Sequence, residues 1–375
     1  MNAKKSVYQH VTDRVLEMLG SGDLPFWRKP WNPPTLPPGV PHVPHNAITR
    51  RPYSGVNVLL AQGSMMINDW SDPRFMTMEQ ANACGGRVRK GEHGTMVVFW
   101  QKIEKKGARD EPAENDAKPK GRAGVIDLDA EDGESVKVAS AKARYIPYVY
   151  TVFNLQQITG IPKKFIPPVA DGAPIGDDTH HAIIKAYLNH LAENFGADIR
   201  FGGSKAFFRH GTNIIQLPEP HHFRTLAGFA GTVLHEATHF TGPLLDRDMG
   251  TLGESLDVYA REEVVAELGA WMQAVRMGVP VEEDQAASYI DGWRSRLISA
   301  MDKDAKFIFR AAKDAHRAAE HLLTPEFMMG VDLLRGFDAS MDDYMANEAM
   351  DTHVAAPSSS VESPKNNGLS AFGLS

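Results

Sequence analysis

The sequence predicts an α+β protein of two domains, an N-terminal α+β domain followed by a mainly helical domain with a small β-sheet. Three observations carry this prediction. The chain has 375 residues, 42% of them hydrophobic and 23% charged, which is enough for two cores of ordinary size. Strand and helix periodicities alternate in the first half, whereas helical spacing dominates the second. Between the halves, Pro162, Pro167, Pro168, Gly172, Pro174 and Gly176 interrupt both patterns. The expected boundaries are a first domain over 1–165 with a flexible insertion at about 103–143, a linker over 166–177, a second domain over 178–350, and a disordered tail over 351–375.

In the first half, apolar residues at helical spacing (Val7, Val11, Val15, Leu16, Met18, Leu19) predict a helix that stops at Gly20 and Gly22. Leu24-Pro25-Phe26-Trp27-Arg28-Lys29-Pro30-Trp31 then sets two indoles beside a basic pair in an extended segment. Such a segment either stacks on unpaired bases with phosphates neutralised alongside, or anchors a rigid loop on the core. Asn46, Arg51, Tyr53 and Asn57 continue the polar, basic and aromatic theme, and residues 58–67 read as a helix. Thr77 and Gln80 form a capping box for a short helix ending at Gly85-Gly86. A basic turn with Arg87, Arg89 and Lys90 leads into a strand over 95–101 that ends near Trp100. A second aromatic strand over 145–153 is its expected partner, and the charge-balanced stretch between them is the insertion.

In the second half, a helix is expected from 178 to 195, then two short strands, 206–208 and 213–218, in a hairpin turning at Gly211. Leu234-His235-Glu236-Ala237-Thr238-His239-Phe240 follows in an apolar helical run. A spacing of four puts His235 and His239 on one helix face, where two imidazoles reach one ion, with Glu236 beside it to take a proton from bound water. A catalytic zinc takes a third protein ligand. Glu263, on the helix Tyr259-Ala260-Arg261-Glu262-Glu263-Val264-Val265-Ala266-Glu267, is the residue expected to supply it. Glu267, one turn on, is expected to orient a histidine, and Glu262, about 100° away, to be solvated. His210, His221 and His222 are candidates for stabilising an oxyanion. The site reads as a zinc peptidase centre of gluzincin type, in which Glu236 takes the proton from zinc-acidified water and delivers it to the leaving amine. The alternative is a protein that shields DNA and uses the metal only to hold its fold.

Charge and composition narrow the partners. The net charge of −7 divides into +6 over residues 1–165 and −13 over the rest, so the first half is the expected polyanion binder. Cys84 is the single cysteine, which excludes an internal disulfide and a cysteine zinc cage. No apolar run is long enough to span a bilayer and no apolar signal core follows Met1, so a soluble, cytoplasmic protein with no membrane partner is expected. With no carboxylate cluster for two metals and no phosphate-cradling glycine loop, a nuclease or primase is disfavoured.

The ordered set of the Trp27–Trp31 segment, Asn46 with Tyr53-Ser54-Gly55-Val56-Asn57, Phe75-Met76-Thr77, Val88-Arg89-Lys90-Gly91-Glu92-His93-Gly94, the hairpin ending in Leu217-Pro218, the His235–Gly242 run, the Glu263 helix and Ser288-Tyr289-Ile290 with Trp293 resembles the ArdC family of antirestriction proteins and the N-terminal regions of TraC-type plasmid primases. The resemblance implies a single-stranded-DNA-binding domain joined to a zincin-like metallopeptidase domain. It also implies protection of incoming plasmid or phage DNA from restriction, with a host restriction component as one conceivable protein substrate. Asn213 departs from the pattern, standing where the family hairpin is expected to carry an aspartate.

Overall fold

The computed structural model of the chain describes residues 5–19, 41–103, 144–162, 176–249, 256–282 and 297–335. Trp27, Arg28, Lys29 and Trp31, the 104–143 insertion, most of the linker, Ser288 to Trp293 and the tail lie outside the described residues.

The first half is built on a four-stranded sheet in the order β1 (His45–Asn46), β2 (Arg74–Met76), β5 (Arg144–Asn154), β4 (Thr95–Ile103). The two long strands predicted to pair do so antiparallel, from Thr95 opposite Val152 to Ile103 opposite Arg144. β1 runs parallel to β2, a pairing with no local sequence signal. Helix α1 (Val7–Leu19) buries Val7, Val11, Val15 and Met18, the stripe its periodicity specified. Helix α2 (Val56–Ile67) is buried along most of its length and packs against β4. Helix α3 (Met78–Ala83) opens with the predicted capping box, Thr77 accepting from the Gln80 amide and the Gln80 side chain accepting from the Thr77 amide. A two-strand ribbon, β3 (Arg87–Val88) with β6 (Ile158–Thr159), completes this half.

The second half opens with α4 (Asp177–Phe195), closed at its C-terminus by Gly196 in the left-handed region. A three-stranded sheet follows in the order β7 (Asp198–Phe201), β9 (Ile214–Leu217), β8 (Phe207–Arg209). The β8–β9 hairpin is the predicted one, with Gly211 at φ 85 and Asn213 at φ 52, a conformation asparagine tolerates better than most side chains. The parallel strand β7 is an addition, because Asp198 and Arg200 hide its alternation. Among the described residues the helices that follow are α5 (Leu226–Leu244), α6 (Leu256–Met277), α7 (297–303), α8 (Phe307–Leu322) and α9 (Pro325–Leu334).

The two halves do not keep the separate cores that their lengths predict. One buried apolar cluster runs from Val7 in α1 through Leu59 and Val97 to Leu234, Trp271 and Ile308. Helix α8 makes the join. The Thr12 hydroxyl donates to the Ala305 carbonyl at 3.0 Å, and the Tyr8 ring meets Phe309 edge-on at 5.0 Å. Alanine spacing in α8, with Ala311, Ala312, Ala315 and Ala319 buried, lets helices approach from more than one side. No described helix is long and apolar enough to cross a membrane.

Candidate metal centre

Helix α5 starts at Thr225, whose hydroxyl accepts from the Gly228 amide at 3.0 Å, and the apolar run that follows buries Phe229, Ala230, Val233, Leu234, Ala237 and Phe240. That packing fixes the rotation of the helix, so His235 and His239 share its remaining face. Helix α6 lies against it at unusually close range. A β-carbon on Gly269 would come within 2.4 Å of the Thr238 side chain, so only glycine permits this approach. Gln273 locks the register: its amide donates to the Thr238 hydroxyl at 2.9 Å and to the Gly269 carbonyl at 3.2 Å, and its side-chain oxygen accepts from Tyr187 of α4.

The result is a convergence of donors. The Nε2 atoms of His235 and His239 stand 3.1 Å apart, and the Glu263 carboxylate lies 3.8 Å from the first and 3.6 Å from the second. Ligands about 2.0–2.2 Å from a tetrahedrally held ion stand roughly 3.4 Å apart, so the spacing and the nitrogen-nitrogen-oxygen donor set both fit one divalent ion. Among the described residues this is the group of potential ligands close enough to hold one.

The outer ring nitrogens face carboxylates. His235 Nδ1 is 3.7 Å from Glu267, and His239 Nδ1 is 3.2 Å from Glu262. The 3.2 Å contact puts the proton of the His239 ring on Nδ1 and leaves its Nε2 as the inward lone pair, whereas the 3.7 Å separation at His235 is longer than a hydrogen bond. Glu236 is buried on the same helix and adds to the negative field around His239. Burial opposes a charge on His239, yet its hydrogen bond to Glu262 and the charges of Glu263, Glu236 and Glu262 together raise its pKa above the usual imidazole value.

Glu262 corrects the sequence expectation. It is 4% exposed rather than solvated, because Arg247 reaches back from the turn after α5 and pairs with both its oxygens, Nη2 to Oε1 at 2.7 Å and Nε to Oε2 at 3.2 Å. Burial pushes the Glu262 pKa up, but the hydrogen bonds from His239 and Arg247 outweigh it and hold the group below its ordinary value. Pro243 in the last turn of α5 and Asp246 at φ 52 are the local signals for the turn-back that brings Arg247 in. His210 sits at the exposed hairpin turn and the His221–His222 pair on a short 3-10 turn, and none of the three belongs to the converging group.

The DNA candidates of the first half divide. Arg51, Arg87, Arg89 and Lys90 are exposed, with Arg89 paired to Glu92 at 2.5 Å. Asn46 is half-buried; its oxygen accepts from the amides of Ile48 and Thr49, and its amide donates to Gln80. Tyr53 and Asn57 lie in the interior, so neither offers its side chain to a ligand at the surface. The Asn57 amide group donates to the Val98 carbonyl and accepts from the Val98 amide, both at 2.7 Å, closing the free side of the edge strand β4. Exposed aromatics stand elsewhere in the sheet: Phe99 and Tyr150 meet edge-on at 5.4 Å, with Trp100 on the same strand.

Comparison with known proteins assigns both halves. Residues 5–153 match the family model described as the N-terminal domain of anti-restriction factor ArdC, and residues 186–314 match a zincin-like metallopeptidase model. The fold matches the crystal structure of the antirestriction protein ArdC from plasmid R388, at 28% identity and a TM-score of 0.57, over 89% of this chain and all of that one. The chain resembles ArdC across both halves.

The Mn(II)-bound structure of that R388 protein matches equally well, with a TM-score of 0.57 over 87% of this ArdC-like chain and 98% of the other. Two Escherichia coli proteins named DNA primase TraC are each 34% identical over 86% and 87% of this chain, but the match spans only 27% and 20% of their own lengths. An uncharacterised Sinorhizobium fredii protein, y4eC, is 29% identical over 84% of this chain and 90% of its own length. The resemblance to ArdC thus covers both the sheet domain and the metal-site helices.

Proposed function

We propose that the chain is a zinc-dependent peptidase carried on a single-stranded-DNA-binding domain, acting in the cytoplasm to protect incoming plasmid or phage DNA from restriction. The observation that carries this reading is the convergence of His235, His239 and Glu263, with Glu236 buried next to His235 on α5. The manganese-bound state of the R388 relative supports a divalent ion at such a site, and the donor set favours zinc. When bound, zinc supplies an acidified water and polarises a carbonyl. Glu236 holds the proton taken from that water and returns it to the departing amine. The outer edge of β8, beside α5, gives an extended peptide a strand to pair with. A host restriction component met at the DNA is the proposed protein substrate. Trp27, Arg28, Lys29, Trp31, Arg51, Arg87, Arg89 and Lys90 remain the proposed DNA contacts.

The test compares wild type with Glu236→Gln and Trp31→Ala in metal analysis, peptidase, DNA-binding and DNA-protection assays. Glu236→Gln should keep the ion and lose roughly 10²- to 10⁴-fold in hydrolysis, and protection with it. Full protection by Glu236→Gln, with protection lost in Trp31→Ala, would instead favour a shielding protein whose metal only stabilises the fold.

A further inference from the structure

Glu262 and Glu263 are neighbours in α6, yet their carboxylates have different surroundings. Glu263 faces the two Nε2 atoms, whereas Glu262 faces the outer nitrogen of His239 and is held from behind by Arg247. The Arg247 guanidinium makes four hydrogen bonds: besides both oxygens of Glu262 it donates to the Thr238 carbonyl at 2.7 Å and to the Thr241 hydroxyl. Thr238 and Thr241 belong to α5 and Glu262 to α6, so one side chain ties together the two helices that carry the inner donors. The contact with Glu262 is two-pronged and planar, a geometry a lysine ammonium cannot reproduce.

Resting on the metal-site reading above, we propose that Arg247 and Glu262 form a positioning clamp for His239. The clamp sets the ring's proton on Nδ1, aims Nε2 at the ion, and keeps Glu262 from competing with Glu263 as a ligand. Neither residue touches substrate. Their action passes through His239, so removing them should weaken metal binding before it affects anything else at the site. Partners of metal-bound histidines in this position typically contribute 10- to 100-fold in metal affinity.

The experiment measures Zn²⁺ dissociation constants by chelator competition for wild type, Glu262→Gln, Glu262→Ala, Arg247→Ala and Arg247→Lys, with His235→Ala as the control that loses a ligand. Circular dichroism of the metal-free proteins monitors folding, and the ring ¹⁵N spectrum of the zinc-loaded proteins reports the His239 tautomer. Glu262→Ala and Arg247→Ala should bind zinc about 10- to 100-fold more weakly and lose the single Nδ1-protonated signature. Glu262→Gln keeps an acceptor for the Nδ1 proton and should recover part of the affinity, whereas Arg247→Lys should not. Wild-type affinity and an unchanged ¹⁵N signature in a folded Glu262→Ala protein would overturn the clamp while leaving the metal site standing. Failure of the wild type itself to bind zinc, or wild-type zinc affinity in His235→Ala, would overturn the metal-site reading and the clamp with it.

Discussion

The two halves use polar side chains in opposite ways. Around α5 and α6, polar groups from distant sequence positions converge on one point: His235, His239 and Glu263 inward, Glu262, Glu267 and Arg247 behind them. In the sheet domain, polar groups are spread out, and each is spent on a local structural task. Asn57 closes the edge of β4, Asn46 holds a turn, and Asp72 and Arg74 pair in the interior at 2.7 Å. Asn154 donates to the Asp72 carbonyl and caps the turn that follows it. Convergence marks a site for a small, highly charged ligand. Dispersal leaves the exposed basic and aromatic surface as the part of the sheet domain free to meet a long ligand such as a nucleic acid strand.

The largest effect on stability should come from a residue that looks functional in sequence. Asn57→Ala removes two hydrogen bonds to a buried strand edge and leaves the Val98 amide and carbonyl without those partners. The expected cost is about 2–4 kcal/mol, read from urea denaturation. DNA affinity of the remaining folded protein should stay near wild type. A stable variant with lost DNA affinity would break the contrast, because Asn57 would then be a contact and not a strut.

A smaller effect is expected from a residue with no side chain at all. Gly269→Ala gains about 1 kcal/mol of helix propensity, but its methyl group meets the Thr238 side chain at 2.4 Å. Thr238 cannot swing aside cheaply, since its hydroxyl donates to the Leu234 carbonyl at 2.8 Å and accepts from Gln273. Overpacking of this kind costs about 1–3 kcal/mol, so after the gain in propensity the net loss should be about 0–2 kcal/mol. The sharper readout is the ion: forcing α5 and α6 apart displaces Glu263 from the histidines, and zinc affinity should fall alongside stability. Unchanged affinity would mean that α6 is not held in register by this contact.

Legibility in the sequence follows the same divide. The shared face of His235 and His239 is legible because helical periodicity alone sets which side chains point together, and the capping box at Thr77 and the hairpin at Gly211 are equally local signals. Glu262 was misjudged because that geometry says which way a side chain leaves its helix and nothing about what waits there. Arg247, fifteen residues away and beyond a turn, is what makes burial tolerable. Tyr53 and Asn57 were misjudged for a related reason: residue types that suit a nucleic acid surface also suit a sheet edge or a core boundary. The parallel pairings β1–β2 and β7–β9 and the packing of α1 on α8 join segments with no shared local pattern, so nothing in the sequence announces them.

The smallest change in stability is expected where the largest change in DNA binding should appear. Phe99 and Tyr150 are partly exposed with their rings edge to edge, so removing either ring costs the cross-strand pair and little else, and Phe99→Ala or Tyr150→Ala should destabilise by about 0.2–1 kcal/mol. Stacking of an unpaired base on an aromatic ring contributes about 1–3 kcal/mol, so each variant should weaken binding to a short single strand about 5- to 150-fold. Salt separates this contribution from charge. Losing a stacking ring leaves the dependence of affinity on salt concentration unchanged, whereas Lys90→Ala removes one phosphate contact and should flatten the slope of log K against log salt by about 0.7. Variants at Phe99 and Tyr150 that bind single strands as tightly as wild type would move the stacking surface away from the β4–β5 pair. An unflattened slope in Lys90→Ala would remove the β3 turn from the phosphate path.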